Sequence, residues 1–250
     1  MKIILHGCNG AMGKVITDLA AEDKETEIVA GIDIRENPAY SYPVYTSPED
    51  CREEADAIID FSIAPAVDGI IRYAVDRRMP LVLCTTGLSG DQLAKVTEAA
   101  KVIPVLRSAN MSLGVNTVFK LAAVAAQILG EAGYDIEIVE RHHHRKLDAP
   151  SGTALAIADA INEAMGGRYH YKLDRSAERA KRDPDEIGIQ AVRGGSIVGQ
   201  HEVLYCGPDE VIEIHHTAYS RSIFGKGAIA AAAYLAGREP GLYKMSDVIG

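Results

Sequence analysis

A strand that runs directly into a glycine-spaced turn and then a helix leaves a chain few ways to fold, and this chain begins with such a unit. KIILH (2–6) is a compact apolar run, GCNGAMG (7–13) places glycines at Gly7, Gly10 and Gly13, and Met12, Val15, Ile16, Leu19 and Ala20 recur at helical spacing. Asn9 stands where the commoner G-x-G-x-x-G loop has its second glycine; asparagine tolerates left-handed backbone, so a tight turn there is expected. A loop that opens a helix presents unpaired N–H groups and a positive dipole end to a pyrophosphate. EIVAGID (27–33) reads as a second strand ending at Asp33, twenty residues after Gly13, where an acid would hydrogen-bond an adenosine ribose. An acid at this position favours NAD(H), while Arg35, two residues on, could serve a 2′-phosphate, so the cofactor preference stays open. The bland alternative is a βα turn with packing glycines; the order strand, loop, helix, strand, acid speaks against it.

The alternation continues. ADAIIDFS (55–62), PLVLC (80–84) and VIPVL (102–106) read as strands, with helices over 65–78 and 89–100, the first admitting Pro65 in its first turn and the second capped by Ser89. Apolar strands alternating with helices imply a parallel sheet covered on both faces. CTTG (84–87) and SANMS (108–112) follow two of these strands at their C-terminal ends, where ligands of open α/β sheets sit.

Beyond Ser112 the pattern changes. A long apolar helix over 113–130 precedes the strand DIEIVE (135–140), a helix over 152–165, a polar loop over 166–186 and strands near 187–193, 197–206 and 210–217, with a last helix at 223–237. Strands adjacent in sequence suggest a mixed, largely antiparallel sheet. The expected architecture is α/β: a Rossmann-type parallel-sheet domain (1–112 and 219–250) and a second α+β domain (113–218).

The second chemical signal is ERHHHRKLDAPSGTAL (140–155), which crowds three histidines, two arginines and a lysine into 141–146 of a chain with net charge −9. Like charges are costly to gather unless an anion meets them. The strand ends where the cluster starts, and DAPSGTALAIADAI opens a helix that Asp148 or Ser151 can cap. The N–H groups of Gly152 and Thr153, unpaired in a first turn, suit a carboxylate or phosphate. Histidine titrates near neutral pH, and a lysine among cations gives up its proton more readily, so proton transfer is within reach. The alternatives are a solvated basic surface or a metal site, the latter lacking an acidic or cysteine partner at a familiar spacing.

Composition excludes other classes. A pI near 5.4 argues against general nucleic-acid binding. Cys8, Cys51, Cys84 and Cys206 fit neither a zinc ribbon nor a disulfide framework, which points to reduced thiols in the cytoplasm. The N-terminal run is too short for a signal peptide, and the alanine-rich runs at 121–126 and 228–236 are too short to span a bilayer.

The stretch V-E-R-H-H-H-R-K-L-D-A-P-S-G-T-A resembles the signature E-x-H-H-x-x-K-x-D-A-P-S-G-T-A of the 4-hydroxy-tetrahydrodipicolinate (dihydrodipicolinate) reductase family of bacterial lysine biosynthesis. The likeness extends to G-x-x-G-x-M-G at 7–13, T-T-G at 85–87, A-N-x-S at 109–112, R-G-G-x-I-x-G-x-H at 193–201 and R-x-x-F at 221–224. The resemblance implies NAD(P)H-dependent reduction of a cyclic dicarboxylate imine: water is lost, hydride reaches C4 and a proton reaches the ring. It implies His142 as acid/base residue, Lys146 as proton donor, and His143, Gly152 and Thr153 as substrate contacts. It implies cofactor contacts at Gly7, Cys8, Asn9, Gly10, Ala11, Met12, Asp33, Cys84, Thr85, Thr86, Ala109, Asn110, Met111 and Ser112. It also implies a homotetramer joined through the second domain's sheet and a last helix that returns to the first domain; composition, ligand spacing and run length by themselves point to no metal, nucleic-acid or membrane partner. Three positions depart from the family. Cys84 stands where many members have glycine, Ile34 follows Asp33 where some carry an NADP-reading arginine, which tilts the expectation towards NADH, and His144 is an additional histidine without an assigned role.

Overall fold

The structure, a computed structural model, describes residues 1–108 and 110–250. The chain forms two compact units, Met1–Leu113 with Arg221–Gly250, and Gly114–Ser220.

The first unit opens with β1 (Lys2–His6), α1 (Ala11–Glu22), β2 (Glu27–Ile32), β3 (Val44–Tyr45) and β4 (Ala57–Asp60), followed by α2 (Val67–Arg77), β5 (Leu81–Leu83), α3 (Gly90–Ala99) and β6 (Pro104–Arg107). Pro65 sits in a 3-10 turn, Ala64–Ala66, that leads into α2. Ser89 caps α3 through a reciprocal pair with Gln92, Oγ accepting from the Gln92 N–H and the Gln92 side chain accepting from the Ser89 N–H.

The second unit contains α4 (Leu113–Leu129, which starts at the boundary), β7 (Asp135–His142), α5 (Gly152–Ala164), β8 (His170–Lys172), β9 (Glu186–Arg193), β10 (Gly199–Cys206) and β11 (Val211–Ala218). The chain then returns to the first unit with α6 (Ser222–Leu235), β12 (Gly241–Tyr243) and α7 (Met245–Ile249).

The first sheet is parallel throughout, in the order β12-β6-β5-β4-β1-β2-β3. Strand alternation divides its side chains between two cores. Ile4, Ile58, Leu81, Leu83 and Val105 pack with α2 and α3, and Ile3, Leu5, Ile59, Val82 and Leu106 pack with Ile16 of α1 and Ala228, Ala231 and Ala232 of α6. Strands buried on both faces are what made the sequence read as unbroken apolar runs.

The second sheet, β11-β10-β7-β9-β8, is mixed, but its pairings are evenly divided rather than largely antiparallel: β11-β10 and β10-β7 are antiparallel, β7-β9 and β9-β8 parallel. The segment containing α5 carries the chain from β7 across to its parallel neighbour β9. One face packs on α4 and α5 through Ile136, Ile138, Val203 and Tyr205 against Val118, Ala122, Ala158 and Ile161.

Several elements differ from expectation. The polar stretch 166–186 contains β8, an edge strand paired to β9. Arg182 ties the same stretch to β7, its guanidinium donating to Asp135, Glu137 and the Ile136 carbonyl. Strands β3 and β12 and helix α7 had no counterpart in the sequence reading; each strand is two or three residues long, too short to show a period. Among the described residues no helix is long and apolar enough to cross a membrane.

Candidate active site

The first unit gathers its candidate residues at the C-terminal ends of parallel strands. The strand order reverses between β1 and β4, the place where open α/β sheets commonly bind ligands. A cleft of about 610 Å³ opens there, lined by Gly7, Asn9 and Gly10 after β1, Asp33 and Ile34 after β2, and Phe61 to Ile63 after β4.

The tight turn falls at Gly7 (φ 80°), not at Asn9. A Cβ on Gly7 would lie 2.6 Å from the Phe61 carbonyl oxygen, and one on Gly13 would lie 2.4 Å from the carbonyl oxygens of both Gly7 and Cys8. The loop is therefore pressed against the sheet and against the start of α1. That helix has no side-chain cap at Gly10 and no acid in its first turn, so Ala11, Met12 and Gly13 open it with nothing negative to satisfy the dipole.

Asn9 has another task. Its N–H donates to Asp33 Oδ2 at 2.9 Å, its Nδ2 donates to the Arg35 carbonyl at 2.8 Å, and its Oδ1 accepts from Asn37. The Ile34 N–H donates to Asp33 Oδ1 at 2.8 Å, so Asp33 is held at the cleft by two peptide groups. A carboxylate offers about four lone-pair sites, which leaves capacity for ribose hydroxyls. Cys8 lies in the core below the loop, and burial pushes its thiol up to about 12.

Sequence reasoning missed Asp60, fully buried at the end of β4. It accepts from Thr85 Oγ1 at 2.6 Å, from the Ser62 N–H, and contacts His6 Nδ1 at 2.7 Å. Thr85 thus points inward to Asp60, while Thr86 is exposed. Cys84 is buried in the core with its thiol pushed up by desolvation, so its side chain does not obstruct the loop's outer edge. Asn110 Oδ1 accepts from the Ser112 N–H at 2.8 Å, and Met111 and Ser112 are buried; Ala109 lies outside the described residues.

The second unit disperses the basic cluster. β7 is buried at every second residue, so Glu140 and His142 continue the core row of Ile136 and Ile138. Arg141 points to the opposite, helix-free face and pairs with Glu202 at 2.8 Å. On that face Glu202, Glu213 and His215 approach one another closely enough to share a cation, a grouping their sequence spacing did not reveal.

Glu140 is wholly buried. Taking a carboxylate out of water costs several kcal/mol unless donors replace the water. Here Oε1 accepts from the Ser151 N–H at 2.9 Å and Arg193 Nη2 at 2.6 Å, and Oε2 faces Arg193 Nη1 at 2.7 Å and His142 Nδ1 at 2.5 Å. Burial alone would raise the carboxyl; the hydrogen bonds from Arg193, His142 and Ser151 outweigh it and hold the group below the usual carboxylate range.

Ser151, rather than Asp148, caps α5: its Oγ accepts from the Ala154 N–H at 3.1 Å and also contacts His201 Nε2 at 3.1 Å. His201 packs edge-on against His142 at 5.2 Å, and burial holds it down at about 3, so this ring is neutral.

Lys146 pairs with Asp148 at 2.9 Å. That ion pair, joined by the Gly152 N–H, keeps the Asp148 carboxyl below its ordinary range. The helix start therefore already faces a carboxylate, Asp148, in place of the open N–H expected for Gly152. His143 and Lys146 are half-buried, His144 is exposed, and the 143–144 segment is fixed by the His143 N–H to the Ile197 carbonyl at 2.8 Å and the His144 N–H to the Gly195 carbonyl. Arg193 and His201 belong to the R-G-G-x-I-x-G-x-H segment, but their partners depend on strand register, in which Arg193 opposes His142 and His201 opposes Glu140.

The comparisons with known proteins agree across the whole chain. Residues 1–111 match the family model for the N-terminus of dihydrodipicolinate reductase, and residues 114–249 match the model for its C-terminus. The chain is 51% identical over 249 residues to the 4-hydroxy-tetrahydrodipicolinate reductase of Caldanaerobacter subterraneus subsp. tengcongensis, covering 100% of this chain and 98% of the relative. It is 45% identical to that of Clostridium novyi, covering 99% and 98%. The fold matches that of dipicolinate-bound dihydrodipicolinate reductase from Paenisporosarcina sp. TG-14 with a TM-score of 0.82 at 23% identity, over 98% of this chain and 97% of the other. Two family models that together span nearly every residue, and relatives similar from end to end, show that this chain belongs to the 4-hydroxy-tetrahydrodipicolinate reductase family, the oxidoreductases that reduce 4-hydroxy-tetrahydrodipicolinate with loss of water on the diaminopimelate route to lysine.

Proposed function

We propose a division of labour for this reaction in which unit Gly114–Ser220 takes the dicarboxylate and handles the proton, and the other unit holds the nicotinamide cofactor. The observation that carries the reading is the ionised, buried Glu140 bonded to His142 on the same strand end that leads to Lys146 and the Ser151-capped helix. When bound, the cofactor supplies hydride. The turn closed by Gly7 and Gly13, which admit no side chain, the start of α1 with no cap and no acid, and Asp33 with acceptor capacity beyond its two peptide N–H contacts fit its pyrophosphate and ribose.

On the substrate side, His142 is the acid/base residue and Lys146 the proton donor to the ring. His143 and the backbone of Gly152 and Thr153 hold a carboxylate, which takes the place of Asp148 between Lys146 and the helix start. Thr85, oriented by Asp60, and the turns at 84–86 and 110–112 hold the nicotinamide end of the cofactor.

NADH is preferred over NADPH. The Asp33 carboxylate disfavours a 2′-phosphate, and its neighbour Ile34 is 82% exposed and carries no charge to neutralise one. The enzyme is cytoplasmic, in keeping with four unpaired cysteines. It is a homotetramer joined through the helix-free face of the second sheet, where Val192 and Val211 are exposed; light scattering in solution tests this.

The deciding experiment generates the substrate from pyruvate and aspartate semialdehyde with dihydrodipicolinate synthase and follows NADH and NADPH oxidation in parallel. Synthase-dependent oxidation, faster with NADH, is expected. Nucleotide binding without oxidation would overturn the assignment of substrate roles.

A further inference from the structure

We propose that Glu140 is a positioning residue that locks His142 as its Nδ1–H tautomer and leaves Nε2 as the ring atom that exchanges the proton. The inference rests on His142 being the acid/base residue and adds which of its nitrogens acts and what selects it.

The selection follows from the donors around one carboxylate. The Ser151 N–H and the two Arg193 nitrogens can only donate, and they meet both carboxylate oxygens: Oε1 faces Ser151 and Nη2, and Oε2 faces Nη1. A proton on either oxygen would point at a group with no lone pair to receive it. Glu140 is therefore an acceptor at every contact, and the fourth contact, His142 Nδ1 at 2.5 Å, must carry the hydrogen. With Nδ1–H committed, the lone pair of the neutral ring resides on Nε2.

Two features keep the ring in this pose. A ring flip would replace the Nδ1 bond by a carbon facing a buried carboxylate. His201, itself held to Ser151 Oγ at 3.1 Å, packs edge-on against the ring at an interplanar angle of 72°. The space beside the free nitrogen is kept by a glycine: a Cβ on Gly199 would stand 3.1 Å from His142 Nε2.

The same carboxylate also takes the N–H of Ser151, the residue that caps α5. One buried anion thus fixes the proton-exchanging ring on β7 and the helix start that holds the substrate carboxylate.

The test uses the wild-type enzyme labelled with ¹⁵N-histidine. Two-bond ¹H–¹⁵N correlation spectra, with the His142 signal among the eight histidines assigned by its loss in His142→Gln, are expected to show a pyrrole-type Nδ1 and a pyridine-type Nε2. An Nε2–H tautomer would overturn the proposal. Glu140→Gln keeps the shape but has a single acceptor oxygen for four donors. It is expected to lower kcat by about 100-fold, with cofactor Kd within about twofold and a mixed tautomer signal. Turnover within about threefold of wild type would also overturn the proposal. If Glu140→Gln does not fold, the wild-type spectrum decides alone. Absence of family turnover in the wild type would remove the acid/base role of His142 while leaving the tautomer measurement standing.

Discussion

Gly13→Ala places a methyl carbon 2.4 Å from the carbonyl oxygens of both Gly7 and Cys8. Carbon and oxygen rest no closer than about 3.3 Å, so the overlap is roughly 0.9 Å at two points. Neither carbonyl can simply retreat, because Gly7 O accepts the Gly10 N–H at 3.1 Å and Cys8 O accepts the Tyr40 hydroxyl at 3.0 Å. Relief breaks at least one hydrogen bond, about 1 kcal/mol, and moves α1 off its packing, a further 1–3 kcal/mol or so. A penalty of about 2–4 kcal/mol is divided between the stability of the first unit and the loop proposed to receive the pyrophosphate. If all of it reached the loop, cofactor affinity would fall by about 30-fold to 1,000-fold.

Gly10→Ala is the matched control. Its Cβ meets only Gly7 O, at 3.2 Å, with φ at −69°, so a shift of a few tenths of an ångström suffices and its cost to stability stays under about 1 kcal/mol. Calorimetric titration of NADH and thermal melting of both variants read the two shares separately. The reasoning is refuted if Gly13→Ala melts within about 2 °C of Gly10→Ala and binds NADH within about twofold of the wild type.

Asp33→Asn is expected to weaken NADH by about tenfold while NADPH is weakened less or gains; equal losses for both nucleotides would remove the ribose assignment. Lys146→Ala should reduce kcat by about 100-fold or more with cofactor Kd unchanged, and near-normal turnover would exclude it as the proton donor. His201 makes stability pH-dependent. Burial, with His142 next, depresses it to about 3 in the folded state, so between about pH 6.5 and 3 the unfolded chain binds the additional proton and stability falls as pH falls. From pH 7 to pH 5 the loss from this site is about 2 kcal/mol, above the window in which carboxylates titrate. Urea unfolding of His201→Gln should lack that share of the acid sensitivity; an identical slope in the variant would show that His201 titrates normally in the folded protein.

The local signals in the sequence were dependable where a short period or a cap determines structure. β1 and α1, the Ser89 and Ser151 caps, and the acid at Asp33 were all legible, since each depends on residues within about one helical turn or one strand. The long basic signature identified the family before any geometry was known. Its meaning changed in three dimensions because strand alternation sends Arg141 to one face and His142 to the other, so six neighbours in sequence are not one basic patch.

The short edge strands β3, β8 and β12 form because an existing sheet edge offers partners for their peptide groups, which no two- or three-residue pattern announces. Glu140 meets Arg193 and Ser151 meets His201 only once β7, β9 and β10 are in register, and Asp60 meets His6 and Thr85 only once β1, β4 and β5 lie side by side. Sequence alone determined the longer strands and helices and the family the chain belongs to, because periods, caps and a long signature are read locally. The tertiary structure decided that His142 meets the buried Glu140 and Thr85 the buried Asp60, because register and the inward face of a strand are set by long-range packing of the core.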